Sequence, residues 1–300
     1  MATEILSELA AKVAAGARLT VDDGRALLET RDLIQLGMLA SDARSRRHGA
    51  RATFVRVCDV PLAHAGTAAL PLATAGELRL VGEPASAAES LAAVHALVER
   101  AGEVPVTGFA LHVLGGLAGS DRALTELLVS LKDAGLAAVA EASAERLSDG
   151  GAALAPLVDA GVLLARLVVE HPLDPTGAPA WLDGLRRLQE EAGVIRAMAP
   201  LARQQPPDAP TTGYDDVRVV ALTRLLLDNV ESIQTNWRRS SAKLAQVTLM
   251  FGADDLDDVP AQDVTDLGPR RSSLEEVRRN IRAASLEPIE RNARFERLMR

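Results

Sequence analysis

The feature that most constrains this chain is a change of period at Ala52. Upstream of it, apolar residues recur at three- and four-residue spacing, as in Leu6, Leu9 and Val13 or Leu33, Leu36 and Ala40, the mark of amphipathic helices. Downstream, short apolar or β-branched runs alternate with capped amphipathic segments, which predicts βα units around a parallel sheet. Six strand candidates stand out, at 52–57, 77–81, 106–113, 136–140, 163–170 and 194–199. Helix ends between them are legible: Ser86 and Glu89 read as a capping box closed by Gly102, and Ser120 opens a helix that stops before Gly135. Six such units suit a doubly wound sheet or an incomplete barrel, and in both ligands collect at the C-terminal ends of the strands.

After a Pro-, Gln- and Thr-rich loop at 200–213, the pattern reads as wholly helical, with helices over 215–233 and 241–251 and a third opened by Ser273 and Glu276. The expected organisation is therefore a helical N-terminal extension (1–50), a partial βα barrel (51–203) and a helical C-terminal region packed on it (204–300).

Composition removes several function classes. A net charge of -8 with 2% aromatic residues leaves neither a basic phosphate-tracking surface nor a base-stacking platform, so nucleic acid is not an expected partner. No apolar run reaches the roughly 18 residues of a membrane span, and the first residues lack the basic start and apolar block of a signal peptide, so a cytoplasmic protein is expected. The one cysteine, Cys58, excludes an internal disulfide, and it excludes a cluster held by three or four thiolates of this chain.

The stretch from Tyr214 to Asp258 resembles the C-terminal part of the radical S-adenosylmethionine enzymes of the futalosine route to menaquinone, aminofutalosine synthases above all, with dehypoxanthine futalosine cyclase further off. The matching residues are Asp216, Arg218, Ala221, Arg224 and Leu225, then Leu227-Asp228-Asn229, Ile233, Trp237, Lys243 to Gln246 and Gly252 to Leu256. Weaker likeness extends over 188–202, 140–149, 44–57 and the tail. The resemblance implies a partial (βα)6 TIM-like barrel of the radical type, with helical N-terminal and C-terminal extensions.

Departures from the family pattern shape the functional expectation. The family follows its first strand with C-x-x-x-C-x-x-C, whose thiolates hold three irons of a four-iron cluster while S-adenosylmethionine takes the fourth. Here the segment from Cys58 reads CDVPLAHAGTAALPLATAGE, with one cysteine and a shortened look; His64 does not repair it. At the second strand, Val81 precedes Gly82-Glu83 where a glycine-rich approach to the cofactor is expected, and at the fourth a glycine run is replaced by Ala140-Glu141-Ala142-Ser143.

Strand-end residues are the site candidates. Gly82, Glu83, Glu141, Glu145 and Glu170 belong at one barrel mouth as ligand-binding groups, with Glu145 and Glu170 as candidate acid or base; each has a bland reading as a solvated or helix-capping carboxylate. Asp216, Arg218, Arg224, Asp228 and Asn229, implied by the resemblance, read either as ligand-binding groups or as an ion-pair network fixing the helix to the barrel. His112 and His171 make a weak metal case without companion carboxylates. The expectation is a cluster-free homologue of aminofutalosine synthase, an accessory or ligand-binding protein without radical chemistry. Its rival is an enzyme using polar acid and base chemistry on a nucleoside or carboxylate in the remnant pocket. No resident cofactor, no metal and no [4Fe-4S] cluster are expected; S-adenosylmethionine or a nucleoside is the ligand class to try, and an intact paralogue or another menaquinone-pathway protein is the partner to try.

Overall fold

The structure, a computed structural model, describes residues 2–147, 154–173, 176–205, 210–262 and 273–299. The prolines at 206 and 207 and the end of the 140–149 segment lie outside them.

Three helices come first: α1 (Ala2–Ala15), α2 (Val21–Glu29) and α3 (Leu33–His48). Thr20 and Asp23 cap α2 reciprocally, each satisfying a backbone N–H that the first turn leaves open. Leu27, Leu36 and Ala40 are fully buried with Leu222 and Leu225 in an apolar cluster of their own.

Gly49, at φ 62, then turns the chain into β1 (Arg51–Pro61). There follow β2 (Glu77–Val81), α4 (Ala87–Ala101), β3 (Val106–Ala110), α5 (Leu111–Ala118), α6 (Asp121–Asp133), β4 (Leu136–Ser143), α7 (Ala144–Leu147), α8 (Ala155–Ala160), β5 (Leu167–Val168), α9 (Ala178–Ala192) and β6 (Ala197–Ala199). The last third holds α10 (Gly213–Leu226), β7 (Ser232–Asn236), α11 (Ala242–Met250), β8 (Asp255–Pro260), α12 (Leu274–Ala283) and β9 (Glu287–Arg291).

Strands β1 to β8 pair in sequence and in parallel, and β8 returns to β1, so they close an eight-stranded barrel. The TIM-like α/β class is as expected; the strand count is not. Three strands lie in the stretch read as helical, and Ile233, placed in a long helix by its spacing, belongs to β7. The physical reason is composition: β7 reads SIQTN and β8 reads DLDDVP, rich in residues that strands usually avoid. Their polar side chains face inward, where hydropathy does not look for them. The third strand also stops early, at Ala110, so His112 sits in the first turn of α5. Ser273 opens α12 without the side-chain bond its capping pattern promised.

β1 shares one edge between two strands. Arg51 to Val55 pair with β9, and Val57 to Pro61 pair with β2. Beyond it, the connection to β2 runs over residues 62–76 and carries only the 3-10 turn Leu62–His64. Every other pair of consecutive barrel strands is joined through at least one α-helix. Arg100, on α4, fastens this short connection by donating to the carbonyls of Ala65 (3.1 Å) and Ala68 (2.6 Å).

Candidate functional site

The apolar core lies between the strands and their helices, where Phe54, Leu78, Leu128, Leu164 and Ile233 are fully buried. Inside the barrel the chemistry is ionic. Strands alternate faces with period two, so Glu77 and Arg79 of β2 and Asp255 and Asp257 of β8 all project inward, and Thr107 (β3) and Arg166, just before β5, meet them. Arg79 donates to Glu77 Oε1 (2.7 Å) and Asp257 Oδ1 (2.9 Å), while Arg166 reaches across the barrel to Asp257 Oδ2 (2.9 Å) and Glu77 Oε1 (3.4 Å). Burial alone would raise both carboxyls, but the two guanidinium groups outweigh it and hold Glu77 and Asp257 below the usual carboxylate range. Nearer the bottom, Arg291 clasps Asp255 through two bonds of 2.7 and 2.6 Å.

Above this ring, at the C-terminal ends of β5 to β8, a cavity of about 410 Å³ opens. Its polar wall carries Arg166, Arg203, Arg239, Gln234, Asp216 and Asp257. The Gln234 amide nitrogen donates to Asp255 Oδ2 (2.8 Å), which fixes which way the amide points; its Oε1, in a side chain buried to 1% exposure, has no donor. Arg166 Nε is likewise buried without an acceptor. Arg239 has no carboxylate partner among the described residues. A neighbouring apolar cavity of about 280 Å³ shares Leu201, Ala202, Thr211 and Asp216 with the first. Burial raises the Asp216 carboxyl, which accepts from the Thr211 hydroxyl at 3.0 Å. A wall with free donors, one free acceptor and an apolar annex fits a small polar, anionic molecule with an apolar part.

Asp258 stands at the β1 side of the same mouth. Its backbone is left-handed, at φ 61, and its carboxyl accepts from Asn236 Nδ2 (3.1 Å) and lies 3.2 Å from Arg238 Nε. Burial, with Asp257 and Asp59 nearby, pushes it up to about 6 despite Arg79 and Arg238.

The residues singled out from sequence fall into three groups. Glu141 and Glu170 do converge at the mouth, on Arg203: Glu141 takes a two-bond clasp of 2.7 and 2.5 Å, and Glu170 lies 3.7 Å away. Glu145 spends Oε1 on the backbone N–H groups of Glu170 (2.7 Å) and His171 (3.0 Å) and Oε2 on the Ser143 hydroxyl (2.9 Å). Its carboxyl is lowered by those bonds against the pull of burial, which suits a loop staple and not a base. Gly82 and Glu83 follow β2, both exposed, and neither lines the cavity.

The helix set is split. Asp216 lines both cavities, and Arg218 lines the apolar one while donating to the carbonyls of Leu28 (3.2 Å) and Thr30 (2.9 Å). Arg224, Asp228 and Asn229 sit at the opposite end of the barrel. Arg224 pairs there with Asp254, and Asn229 donates to the Arg186 carbonyl at 2.7 Å.

Comparison with known proteins gives these positions a lineage. Residues 198–299 match the family described as the CofH/MqnC C-terminal region. The aminodeoxyfutalosine synthase of Thermus thermophilus is 30% identical, over 97% of this chain and 95% of the relative. The chain belongs to the aminodeoxyfutalosine synthase family. The Streptomyces coelicolor synthase is 26% identical over 96% of this chain and 93% of its own length. That match runs over 371 positions, against 300 residues here, so some of the relative's positions have no counterpart in this chain. Among solved structures, methylornithine synthase superposes with a TM-score of 0.70 at 14% identity, covering 93% of this chain and 97% of that one, which is a likeness of fold.

As a member of the aminodeoxyfutalosine synthase family the chain is expected to hold a cluster after β1, and the residues there do not fit one. Its one cysteine is three residues inside the strand end, with burial and then Asp59 raising the thiol. The following turn, Leu62–His64, brings no thiolate, and the 62–76 connection has no helix. The mouth residues missed from sequence are Arg166, Arg203, Gln234, Arg239, Asp257 and Asp258. The signal was available: Gln234/Asn236 and Asp255/Asp257 are spaced by two, the period of a strand face.

Proposed function

We propose that this chain is a non-radical member of the aminodeoxyfutalosine synthase family, a ligand-binding or accessory protein of the futalosine route to menaquinone. The observation that carries the reading is the donor set after β1: one buried cysteine and a helix-free connection where three thiolates are required. Without a cluster there is no one-electron donor, so no radical step is assigned to any residue. The mouth cavity supports the binding half of the reading. Arg239 offers a charge-assisted bond to an anionic group, Arg203 holds Glu141 in the same wall, Gln234 Oε1 takes a hydroxyl or N–H, and the annex shelters an apolar part. In the accessory version, an intact paralogue in the same cytoplasm is the partner to test by co-purification.

A second reading, polar acid and base catalysis, finds its best group in Asp258 rather than Glu145 or Glu170. A carboxyl near 6 exchanges protons at neutral pH, whereas Glu145 is held ionised by its bonds.

Thermal unfolding with S-adenosylmethionine, 5′-deoxyadenosine and aminofutalosine tests the binding role. A ligand at about a hundred times its Kd stabilises by roughly 2.7 kcal/mol, a shift of a few degrees for a chain of this size. A nucleoside-dependent shift that Arg203→Gln removes supports a pocket in use. No shift with any of the three turns the proposal towards a scaffold, and ligand-dependent turnover lost in Asp258→Asn turns it towards the enzyme.

A further inference from the structure

At the N-terminal end of the barrel, away from the mouth, a second cavity of about 290 Å³ lies between the α1–α2 turn, the last turns of α3 and the end of α10. Its wall carries four arginines, Arg18, Arg46, Arg47 and Arg224, in a protein of net charge -8. Part of their work is structural. Arg46 donates to the carbonyl of Val13 (3.1 Å), Arg47 to those of Val230 (2.6 Å) and Asp228, and Arg224 to that of Gly252 (2.9 Å), so each ties its helix to another segment.

The charge is not closed in the same way. Arg18 has Asp228 (3.0 Å) and Glu190 (2.5 Å), and Arg224 has Asp254. Arg46 and Arg47 have only carbonyls, and among the described residues no carboxylate pairs with either. Buried Arg44 stands behind them, bonded to the carbonyl of Gly49 (3.1 Å) and the Ser45 hydroxyl (2.7 Å). The strain shows at Arg224, which burial, with Arg47 and Arg44 opposing the pull of Asp254, pushes down to about 10. Two cations of the cavity wall, both exposed and solvated, therefore have no counter-charge among the described residues. Arg46 keeps Nε and one terminal nitrogen free, and Arg47 keeps Nε.

One atom points to more than a bare ion. Asp228, a residue of the same wall, gives Oδ2 to Arg18, while its Oδ1 is buried without a donor. A ligand satisfying every group must bring about two negative charges for Arg46 and Arg47, and a hydroxyl for Asp228. A carboxylate carries one charge; a phosphomonoester carries about 1.5 to 2 at neutral pH and offers several acceptor oxygens. Gly16, whose φ of 69 suits glycine, lies beside the Arg46 guanidinium.

From these groups we infer that this cavity binds a small soluble phosphomonoester bearing a free hydroxyl, at a site separate from the barrel mouth. Arg46 and Arg47 hold the phosphate, Arg18 borders it, and Asp228 accepts the hydroxyl. Both walls of the site, α3 and α10, lead directly into barrel strands β1 and β7, so occupancy fastens the N-terminal helices to the barrel.

Calorimetric titration of the full chain with ribose 5-phosphate, inorganic phosphate and ribose tests it. Expected are binding of ribose 5-phosphate, at least tenfold weaker binding of inorganic phosphate, and none of ribose. Arg46→Gln lowers the affinity for ribose 5-phosphate at least tenfold, and Arg46→Lys by only a few-fold. Arg203→Gln, at the mouth, leaves it unchanged. Ala43→Glu tests the site without removing a bond: it places a carboxylate from α3 on the cavity wall, and it abolishes phosphate binding while raising the unfolding midpoint. The inference is overturned if ribose 5-phosphate does not bind, if it binds Arg46→Gln or Ala43→Glu as it binds the parent chain, or if Arg203→Gln removes it.

Discussion

The two sides of the barrel mouth have gone different ways. On the β5–β8 side the wall is dense with paired and half-paired polar groups, from Arg166 and Arg203 to Gln234 and Asp257. On the β1–β2 side the chain crosses in 15 residues (62–76), with a single 3-10 turn and side chains such as Leu62 and Ala65 against the core. The barrel therefore closes without a helix in the β1–β2 connection. Ion pairs brace its centre: Arg166, just before β5, reaches carboxylates on β2 and β8, so a lumen pair joins strands that no backbone bond joins.

Several changes would break or sharpen that contrast. The largest effect is expected from Arg166→Met, which leaves Glu77 and Asp257 buried with Arg79 as their remaining shared partner. Removing one member of a buried network costs about 3–5 kcal/mol, and urea unfolding should show a loss of that order. A comparable substitution on the β1–β2 side, His64→Ala, changes an exposed turn and should stay within about 0.5 kcal/mol. Equal losses at the two sites would remove the contrast.

Acid and neutral pH separate the carboxylates by sign. Glu77 and Asp257 sit below their ordinary values of 4.5 and 3.8, so their contribution is present above that range and is lost as pH falls through the lower folded-state values. Asp258 has the opposite sign. Raised from 3.8 to about 6, it binds its proton more tightly in the folded chain, so stability falls as pH rises from about 4 to 6. Asp258→Asn should therefore stabilise the chain at pH 7 by about 1–2 kcal/mol, help little at pH 4, and flatten the profile between. Asparagine also suits the left-handed backbone of this position. A variant less stable than the parent at pH 7 would contradict the sign.

Arg203→Gln is a smaller change. Its pair with Glu141 is partly exposed, at 21% and 25% for the two side chains, so about 1 kcal/mol of stability is at stake. The same substitution should remove ligand binding at the mouth. Thr20→Ala loses one N-cap bond of α2 and should cost about 1 kcal/mol or less in thermal unfolding, with no effect on the mouth.

What was legible in the sequence follows from where polarity sits. Strands whose outward faces are apolar, such as 77–81, could be bounded to the residue, since Leu78 and Leu80 pack under helices. The same strand hid its meaning, because Glu77 and Arg79 read as surface charge. β7 and β8 carried that ambiguity to its limit: Asp255 and Asp257 belong to the barrel's interior, and nothing in hydropathy separates an inward aspartate from a solvated one. Glu141 and Glu170 were legible as strand-end acids, but their partner Arg203 lies about 60 residues away from Glu141, joined by the fold alone. Arg224 and Asp228 were legible as unusual polar residues in an apolar helix. Their end of the barrel was not, because the helix was drawn through Ile233, past the turn into β7 that places them.

On the proposed function, this member of the aminodeoxyfutalosine synthase family does not assemble the cluster. Iron and acid-labile sulfide, counted after anaerobic reconstitution beside the Thermus thermophilus synthase treated identically, test it most directly. Iron at background in this chain, well under one atom per molecule, is the expected result. About four irons and four sulfides per molecule, with the absorbance of a thiolate-bound cluster, would contradict it.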